Sequence, residues 1–358
     1  MAIGIPNAPR IPCPSTEAEL KKKLVLTALF CLSFFVTAEA VLRWVFGLGR
    51  PQLVCLSDSY GYAYCPSQDL KRFGKRIYFN KEGLRSEEIR PLGPTADERV
   101  LCLGDSITYG GALTDQAETY PYQLERKLVE SGRRAQVLNA SAGGWAVSNE
   151  LAFLGANGLF GARTVVLELA ANDFHQADTS KEDIIGNPNF PTSHPPTALS
   201  ELLTRYVLPR VSALIARPSR SDADPRKAAD DQQCLLLIRQ LVTFIQERNA
   251  NVILLLVPEE REAVDARYRR DYTPDLKSFC ASPRCLLVDS MNGFHHALRT
   301  RAKVYRDGVH PNEIGNQIMA DTVFHGIIDS HRHSVVRRMT PVVQESLKPL
   351  NTSRGGTY

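Results

Sequence analysis

Polar residues suited to acyl transfer occur in four separate motifs of the chain. The motifs are Gly104-Asp105-Ser106, Asn139-Ala140-Ser141-Ala142-Gly143-Gly144, Ala171-Asn172-Asp173 and Asp307-Gly308-Val309-His310. A serine nucleophile needs a base that takes its proton, and the base needs a carboxylate that orients it. The tetrahedral intermediate also needs hydrogen-bond donors for its oxyanion. Since Asp307 and His310 are three residues apart, one turn can present both side chains toward Ser106.

The motifs follow predicted strands or precede a predicted helix, and this order should bring them together. Apolar runs predict buried strands, and amphipathic periodicity predicts helices between them. The strands are predicted at 100–104, 136–139, 164–170, 252–257 and 285–288, and the helices at 120–131, 148–157, 231–249 and 312–329. This alternation indicates a three-layer α/β domain with a parallel sheet over residues 98–330. Ligands bind at the carboxyl ends of such strands.

Taken in this order, the four motifs make the sequence resemble the SGNH/GDSL hydrolase family. That family is marked by Gly-Asp-Ser, a glycine in a second block, Gly-x-Asn-Asp in a third and Asp-x-x-His near the C-terminus. The resemblance implies a flavodoxin-like sheet of five parallel strands, with no metal and no organic cofactor. It also implies Ser106 as the nucleophile, His310 as general base and then acid, and Asp307 as the carboxylate that orients His310.

The same resemblance implies an oxyanion hole formed by the backbone N–H groups of Ser106 and Gly144 and the side-chain amide of Asn172. Gly144 is preferred over Gly143 because Asn-Ala-Ser-x-x-Gly is a familiar spacing in the family. A glycine also lets the backbone approach a substrate closely. The third block departs from the family pattern, since Ala170 stands where glycine is usual. We expect this change to alter the shape of the site only slightly.

Three polar residues near the motifs have structural interpretations. Asp105 and Asp173 are expected to brace the turns at the strand ends with hydrogen bonds. His175 follows Asn172 closely, but the sequence pairs it with no carboxylate of the kind that Asp307 offers His310. We therefore expect no catalytic role for His175.

The N-terminal region predicts a membrane anchor. Residues 1–23 are predicted as a disordered cytoplasmic tail, and residues 24–46 are long and apolar enough to span a bilayer. The three lysines at 21–23 favour a cytoplasmic N-terminus, which places the catalytic domain outside the cytoplasm, in the periplasm or at the cell surface. The alternative is a cleaved secretory signal with its apolar core at 24–38, and it exports the domain as well.

Three further segments flank or interrupt the α/β domain. Residues 47–97 predict an extended prologue with a short strand at 77–80, in which Arg85 is expected to be a surface arginine. Residues 174–230 predict an insertion around a helical patch at 198–216, which would form a lid or a substrate wall near the strand ends. Residues 331–358 predict a polar C-terminal tail.

Composition limits the remaining function classes. The chain has 358 residues, of which 43% are hydrophobic and 23% charged, as in ordinary globular proteins. Its net charge of +4 includes no basic stripe interleaved with aromatic residues, so we expect no nucleic-acid partner.

Cysteine spacing limits the metal and redox classes. None of the eight cysteines forms a C-x-x-C pair, which argues against a zinc or redox site. Cys102 and Cys234 are predicted to be buried free thiols. Outside the cytoplasm, two further pairs could form disulfides, namely Cys55 with Cys65 and Cys280 with Cys285.

These observations predict a membrane-anchored serine ester hydrolase. It would form an acyl-Ser106 intermediate and remove O-acetyl or similar acyl groups from an envelope or secreted glycan. The alternatives are an O-acyltransferase with the same triad, a lipase or lysophospholipase with an apolar trough, and a non-catalytic glycan-binding or assembly subunit. The sequence names no protein partner.

Overall fold

The computed structural model describes residues 16–93, 97–215, 231–265, 267, 270 and 272–345. Its strands are β1 Val54–Ser57, β2 Gly61–Tyr64, β3 Gln68–Arg72, β4 Lys75–Phe79, β5 Asp97–Gly104, β6 Arg134–Ser141, β7 Thr164–Leu169, β8 Asn251–Leu256 and β9 Cys285–Asp289. Its α-helices are α1 Thr16–Trp44, α2 Ser106–Tyr109, α3 Tyr120–Glu130, α4 Val147–Asn157, α5 Lys181–Ile184, α6 Ala198–Glu201, α7 Leu208–Ile215, α8 Asp231–Glu247, α9 Glu260–Val264, α10 Thr273–Phe279, α11 Met291–Arg299 and α12 Glu313–Glu345. A π-helical turn, Leu202–Val207, connects α6 to α7.

Strands β5 to β9 form one parallel sheet in the order β6-β5-β7-β8-β9. This is the flavodoxin order, so the predicted fold class is confirmed. All five predicted strands are present, and β6 is longer at both ends than the prediction of 136–139. Every residue of β7 is buried, because a parallel sheet is covered on both faces.

Helices cover both faces of the sheet and make it the middle of three layers. Leu101 and Leu103 of β5 pack in the apolar cluster formed with α4 and α8. Val100 and Cys102, which alternate with them, pack in the cluster formed with α3, α11 and α12. The predicted helices at 120–131, 148–157 and 231–249 are therefore confirmed as α3, α4 and α8. The short helices α9, α10 and α11 are not predicted from the sequence.

Two antiparallel hairpins, β1–β2 and β3–β4, precede the sheet. Their inward side chains Val54, Tyr62, Ile77 and Phe79 are buried in the same apolar cluster as α4 and α8. This packing makes the segment before β5 part of the core of the domain.

The cysteines fall into bonded and buried groups. Two disulfides join the pairs Cys55–Cys65, which links β1 to β2, and Cys280–Cys285. Cys102 and Cys234 are buried without a disulfide. Burial raises the pKa of both thiols to about 12, so they remain protonated and unreactive.

The N-terminal helix α1 starts earlier than the predicted span. Residues 16–23 are helical, whereas the sequence analysis assigns them to a disordered tail. They contain neither proline nor glycine, so no residue type there breaks the helix. In the part of the chain that the structure describes, Ala18–Trp44 is the one segment long and apolar enough to cross a membrane, and a signal sequence has the same character. Residues 1–15 lie outside the described residues.

The C-terminal helix α12 ends later than predicted. The prediction placed a helix at 312–329 and a polar tail after 330, but the helix continues to Glu345. Residues 331–340 contain neither glycine nor proline, so no residue type there breaks the helix. Residues 346–358 lie outside the described residues.

The insertion at 174–230 is partly helical where it is described. The elements α6, the π-helical turn and α7 match the predicted helical patch up to residue 215, and the short helix α5 is not predicted from the sequence. Residues 216–230 lie outside the described residues.

A buried ion pair joins the insertion to the β3–β4 hairpin. Arg72 Nη2 lies 2.5 Å from Glu201 Oε1, and each side chain is only 1% exposed. Glu201 also accepts the N–H of Gly49 at 2.6 Å and a hydrogen bond from Arg205 at 3.1 Å. Two elements distant in sequence are thus connected by a charged contact that excludes water.

We expect Arg72→Met to lower the free energy of unfolding by about 3–5 kcal/mol, because it leaves a buried carboxylate without its main partner. Urea unfolding of the full chain in detergent measures this change. Arg76→Met is the matched control, since Arg76 is 44% exposed in its ion pairs with Asp69 and Glu87. The control should cost less than about 1 kcal/mol. Equal losses of unfolding free energy in both variants would contradict the expectation that the buried ion pair contributes more than the exposed ones.

Candidate active site

Ser106 lies at the carboxyl edge of the sheet, directly after β5. It begins the short helix α2, and Asp105 caps that helix by accepting the N–H of Ile107 at 2.8 Å. Gly110 ends α2 with φ +81°, a left-handed conformation that favours glycine. Strand, cap and helix therefore hold the serine in a single tight turn.

Gly104 is required by the packing beneath this turn. A Cβ at this position would lie 2.3 Å from Thr108 Oγ1 and 2.9 Å from Glu168 Oε2. Thr108 itself donates a hydrogen bond of 3.1 Å to Glu168, so neither group can move away freely. The glycine of the first motif is thus explained by close contact between β5, α2 and β7.

His310 connects Ser106 to Asp307. Its Nε2 lies 3.0 Å from Ser106 Oγ, and its Nδ1 lies 2.9 Å from Asp307 Oδ2. Asp307 Oδ1 also accepts the backbone N–H groups of Val309 and His310 at 2.9 and 2.8 Å. Partial burial alone would raise the pKa of Asp307, but these hydrogen bonds hold it below its ordinary value. The ionised carboxylate favours a proton on Nδ1, which leaves Nε2 free to accept one from Ser106.

The loop that carries His310 is attached to the turn that carries Ser106. Tyr305 and Pro311 form an antiparallel bridge across the base of the loop. Arg306 donates its backbone N–H to the carbonyl of His310 at 2.9 Å, and its side chain donates to the carbonyl of Gly110 at 3.2 Å. His310 and Ser106 are therefore positioned relative to each other by one arginine.

The second motif brings two glycines to Ser106. A Cβ on Gly143 would lie 3.9 Å from Ser106 Cβ, so this backbone borders the serine. The carbonyl groups of Gly143 and Gly144 accept hydrogen bonds from Tyr62 and Thr179. Within the described residues, the N–H groups of the two glycines donate to no other group. Gly144 has φ +85°, which favours glycine.

Asn172 lies next to Asp105, but both hydrogens of its amide are engaged. Its Nδ2 donates to Asp105 Oδ2 at 3.3 Å and to Gln176 Oε1 at 3.0 Å, while its Oδ1 is buried without a partner. Gln176 in turn donates to the carbonyl of Trp145 at 2.5 Å. A substrate oxyanion at Asn172 would have to replace one of these acceptors. Gln176 lies in the predicted insertion and has no sequence signal of its own.

The two aspartates of the motifs brace their turns. Asp173 Oδ2 accepts the N–H of Ala170 at 2.7 Å, and Asp105 accepts that of Ile107. Ala170 is completely buried where the family usually has glycine. The structure accommodates its methyl group in the cluster formed with α3 and α12.

His175 has a carboxylate neighbour that the sequence analysis missed. Its Nδ1 lies 3.2 Å from Asp231 Oδ1, and both side chains are exposed. The partner is the first residue of α8, far away in sequence, so spacing alone could not reveal it. In the described contacts His175 pairs with Asp231 and not with Ser106.

Arg85 is buried, which corrects the prediction of a surface arginine. Its guanidinium donates to the carbonyl groups of Tyr109, Gly111 and Thr114 at 2.6–2.8 Å. It also lies over the ring of Tyr109, 5.1 Å from its centroid. The reason for burial is that the turn after α2 exposes several carbonyl groups inward, and a forked cation satisfies them together.

We expect Arg85→Lys to lower the free energy of unfolding by about 2–4 kcal/mol, because one ammonium cannot reach all these buried carbonyl groups. Thermal unfolding of the full chain in detergent measures the loss. Arg126→Lys is the control, since Arg126 is 53% exposed and pairs loosely with Glu130 at 3.7 Å. An unchanged melting temperature for Arg85→Lys would show that the turn does not depend on the guanidinium.

Four carboxyl groups are buried beneath the site: Asp105, Glu150, Glu168 and Asp173. Burial raises the pKa of all four groups. At least one neighbouring carboxylate also raises the pKa of Glu150, Glu168 and Asp173. Glu150 and Glu168 each retain one oxygen without a hydrogen-bond partner. In the described part of the chain, no three His, Cys, Asp or Glu residues are arranged to hold a metal ion.

We expect Glu150→Gln to stabilise the protein at alkaline pH. Because the folded-state pKa of Glu150 is raised, its contribution to stability is complete below the unfolded pKa of about 4.3 and is lost as pH rises through the folded value. The variant should match the wild type near pH 4 and gain at least about 1 kcal/mol near pH 8. Urea titrations at both pH values measure this.

Glu247→Gln on the exposed side of α8 is the control for this titration. It should leave the free energy of unfolding unchanged at both pH values. A gain of equal size at both pH values in Glu150→Gln would contradict an ionisation effect.

The sheet order, together with a hydrogen-bonded Ser, His and Asp at its carboxyl edge, is typical of a hydrolase that acts through a serine. The sequence matches the model of the GDSL-like lipase/acylhydrolase family over residues 102–318. The chain therefore belongs to this family, as the four motifs predict, and it is an enzyme of the esterase/acylhydrolase class.

Solved structures that resemble the chain have low sequence identity to it. The acetylxylan esterase Axe2 from Geobacillus stearothermophilus is 18% identical, with 64% of this chain and 93% of that one covered and a TM-score of 0.43. TesA is 17% identical, with 65% and 99% covered and a TM-score of 0.42. A GDSL-family lipolytic protein from Veillonella parvula is 15% identical, with 64% and 97% covered and a TM-score of 0.41. None of the curated proteins matches the chain in sequence.

Proposed function

We propose that the protein is a serine ester hydrolase in which Ser106 is the nucleophile, His310 the general base and acid, and Asp307 the residue that orients His310. The observation that carries this proposal is the continuous hydrogen-bonded line from Ser106 Oγ through the imidazole to the carboxylate, with distances of 3.0 and 2.9 Å. Each member has the partner that its role requires.

In this mechanism Ser106 Oγ attacks the ester carbonyl carbon while His310 Nε2 takes the hydroxyl proton. The bond between that carbon and the alcohol oxygen then breaks, and His310 returns the proton to the departing alcohol. A water molecule next attacks acyl-Ser106, again losing a proton to His310. The acyl-oxygen bond to the serine breaks and His310 returns this proton to Ser106 Oγ, which releases the carboxylic acid and restores the hydroxyl.

The oxyanion of each tetrahedral intermediate would be bound by the N–H groups of Ser106 and Gly144 and by the amide of Asn172. The unused N–H groups of the glycine segment that borders Ser106 support this assignment. Asn172 contributes when the oxyanion replaces Gln176 or Asp105 as acceptor. Preformed donors of this kind supply much of the rate enhancement in acyl transfer.

The proposed substrate is an O-acetyl or similar acyl group on an envelope or secreted glycan. Three features support an extracytoplasmic domain: the apolar helix α1, the lysines that precede its apolar stretch, and the disulfides Cys55–Cys65 and Cys280–Cys285. Disulfides persist in oxidising compartments, and positive charge favours the cytoplasmic side. In this arrangement α1 anchors the enzyme and the catalytic domain faces the cell exterior or periplasm.

The test is release of acetate from O-acetylated glycans by the full chain in detergent. We expect Ser106→Ala to lower kcat/KM by about 10³-fold or more, and a fluorophosphonate probe to label the wild type but not this variant. Ser278→Ala, at an exposed serine of α10, is the control and should retain both properties.

Three outcomes separate the proposal from its alternatives. Unchanged acetate release by Ser106→Ala would show that Ser106 is not the nucleophile. Absence of a covalent adduct in the folded wild type would favour a non-catalytic binding subunit. Transfer of the acetyl group to an added sugar hydroxyl instead of water would identify an O-acyltransferase.

A further inference from the structure

The helix α1 packs directly on the insertion of the catalytic domain. Glu39, in the last two turns of α1, accepts the N–H groups of Ala198 and Leu199 at 2.8 and 3.0 Å. Arg43, one turn later, contacts the same carboxylate at 2.5 Å. These are the first N–H groups of α6, so a side chain of α1 caps that helix. The contact joins the apolar helix to the domain through a specific charged site.

The chain that follows α1 is held just as firmly. Phe73 donates its N–H to the carbonyl of Phe46 at 3.0 Å, and Arg72 donates to the carbonyl of Gly47 at 2.9 Å. A Cβ on Gly47 would lie 1.9 Å from the carbonyl oxygen of Lys71, so only glycine fits there. The segment that follows α1 is therefore attached to the β3–β4 hairpin, and no free linker separates α1 from the domain.

Large apolar side chains remain exposed around this joint. We call them the juxtamembrane face: Trp44, Val45 and Phe46 at the end of α1, and Leu203, Val207, Leu208 and Val211 in the π-helical turn and α7. Leu203, Val207 and Val211 recur every four residues and lie on the outer side of this helical stretch. Tyr206, on the inner side, packs edge-on against Phe73 at 6.0 Å.

Unpaired cations lie beside these apolar groups. A cavity of about 320 Å³ at the end of α1 is lined by Arg43, Trp44, Leu48, Arg50, Leu70 and Lys71, among others. Arg43 is neutralised by Glu39, and Asp69 in the same cavity pairs with Arg76. Arg50 and Lys71 form no ion pair within the described residues. The cavity thus combines apolar walls with two available positive charges.

We propose that the juxtamembrane face lies on the surface of the membrane that α1 enters, with Arg50 and Lys71 against the phosphates of anionic phospholipids. The membrane is chosen as the occupant because the juxtamembrane face continues directly from the apolar helix. Its first residue, Trp44, is the last residue of α1 and is 87% exposed. Tryptophan is enriched at both membrane–water interfaces, and anionic headgroups attract nearby cations. The inference rests on the membrane-anchor part of the proposed function, and it adds that the domain is held against the lipid.

The test uses the full chain in lipid nanodiscs with an NBD fluorophore on a single introduced cysteine. Val207→Cys places the label on the juxtamembrane face, and Arg126→Cys places it on α3, in the opposite layer of the domain. Both variants carry Cys13→Ser and Cys31→Ser, because neither cysteine belongs to the two described disulfides. In nanodiscs of phosphatidylcholine with about one third phosphatidylglycerol, headgroup nitroxide lipids should lower the emission at 207 at least twofold and leave that at 126 unchanged.

The role of the cations is tested by Arg50→Gln combined with Lys71→Gln. We expect this double variant to remove the extra quenching that phosphatidylglycerol causes over pure phosphatidylcholine. Ester hydrolysis of a soluble substrate should not change, since neither residue lies in the proposed catalytic machinery. Quenching that is identical in both lipid compositions for the wild type would overturn the role of the headgroup charge.

Other outcomes separate this inference from the anchor itself. If the chain floats with liposomes after an alkaline carbonate wash but the label at 207 is not quenched, the anchor stands and the lipid-facing surface is wrong. If the chain does not float, the anchor fails and the inference fails with it. The emission at 207 could be blue-shifted in detergent and yet not be quenched by nitroxide lipids in nanodiscs. This outcome would mean that protein, from this chain or a second copy, covers the face.

Discussion

A hydrogen bond of 3.0 Å between Ser106 and His310 joins two groups that lie 204 residues apart, and the proposed chemistry depends on it. Such a contact cannot form locally. It needs β5 in the middle of the sheet, so that the serine emerges at the carboxyl edge, and it needs the loop before α12 to return to the same edge. Arg306 then links that loop to the carbonyl of Gly110, at the end of the helix α2 that begins with Ser106.

Much of the support for the site comes from residues that precede the matched family region at 102–318. Arg85 satisfies the carbonyl groups of the turn that follows α2, and Tyr62 holds the carbonyl of Gly143. The β1–β2 hairpin and the segment after β4 therefore support the candidate site, because they supply donors to backbone groups that the sheet leaves unpaired. The β3–β4 hairpin receives the end of α1 through Phe73 and Arg72. The segment that precedes β5 thus contacts both the candidate active site and the apolar helix.

The burial of four carboxyl groups beneath the site carries an electrostatic cost. Asp105, Glu150, Glu168 and Asp173 are buried close enough for their charges to oppose one another. Asp105 caps α2 and accepts a hydrogen bond from Asn172, so its position serves the site geometry. Glu168 accepts the Thr108 hydroxyl beneath the same turn. Sites that break a local rule of stability in this way are commonly those where function constrains the residue types.

The amino-acid sequence by itself determined the five strands of the parallel sheet and the long helices that cover it, since hydrophobic periodicity is a local property, and it located three motifs at strand ends and the fourth before the last helix. It also indicated Ser106, His310 and Asp307 through the family resemblance. Only the tertiary structure decided that Arg85 is buried, that Gln176 engages Asn172, that His175 meets Asp231 and that Glu39 caps α6. These contacts join residues from separate elements, and their partners depend on how the layers pack. No spacing along the chain encodes such distances, so they become visible only in the folded molecule.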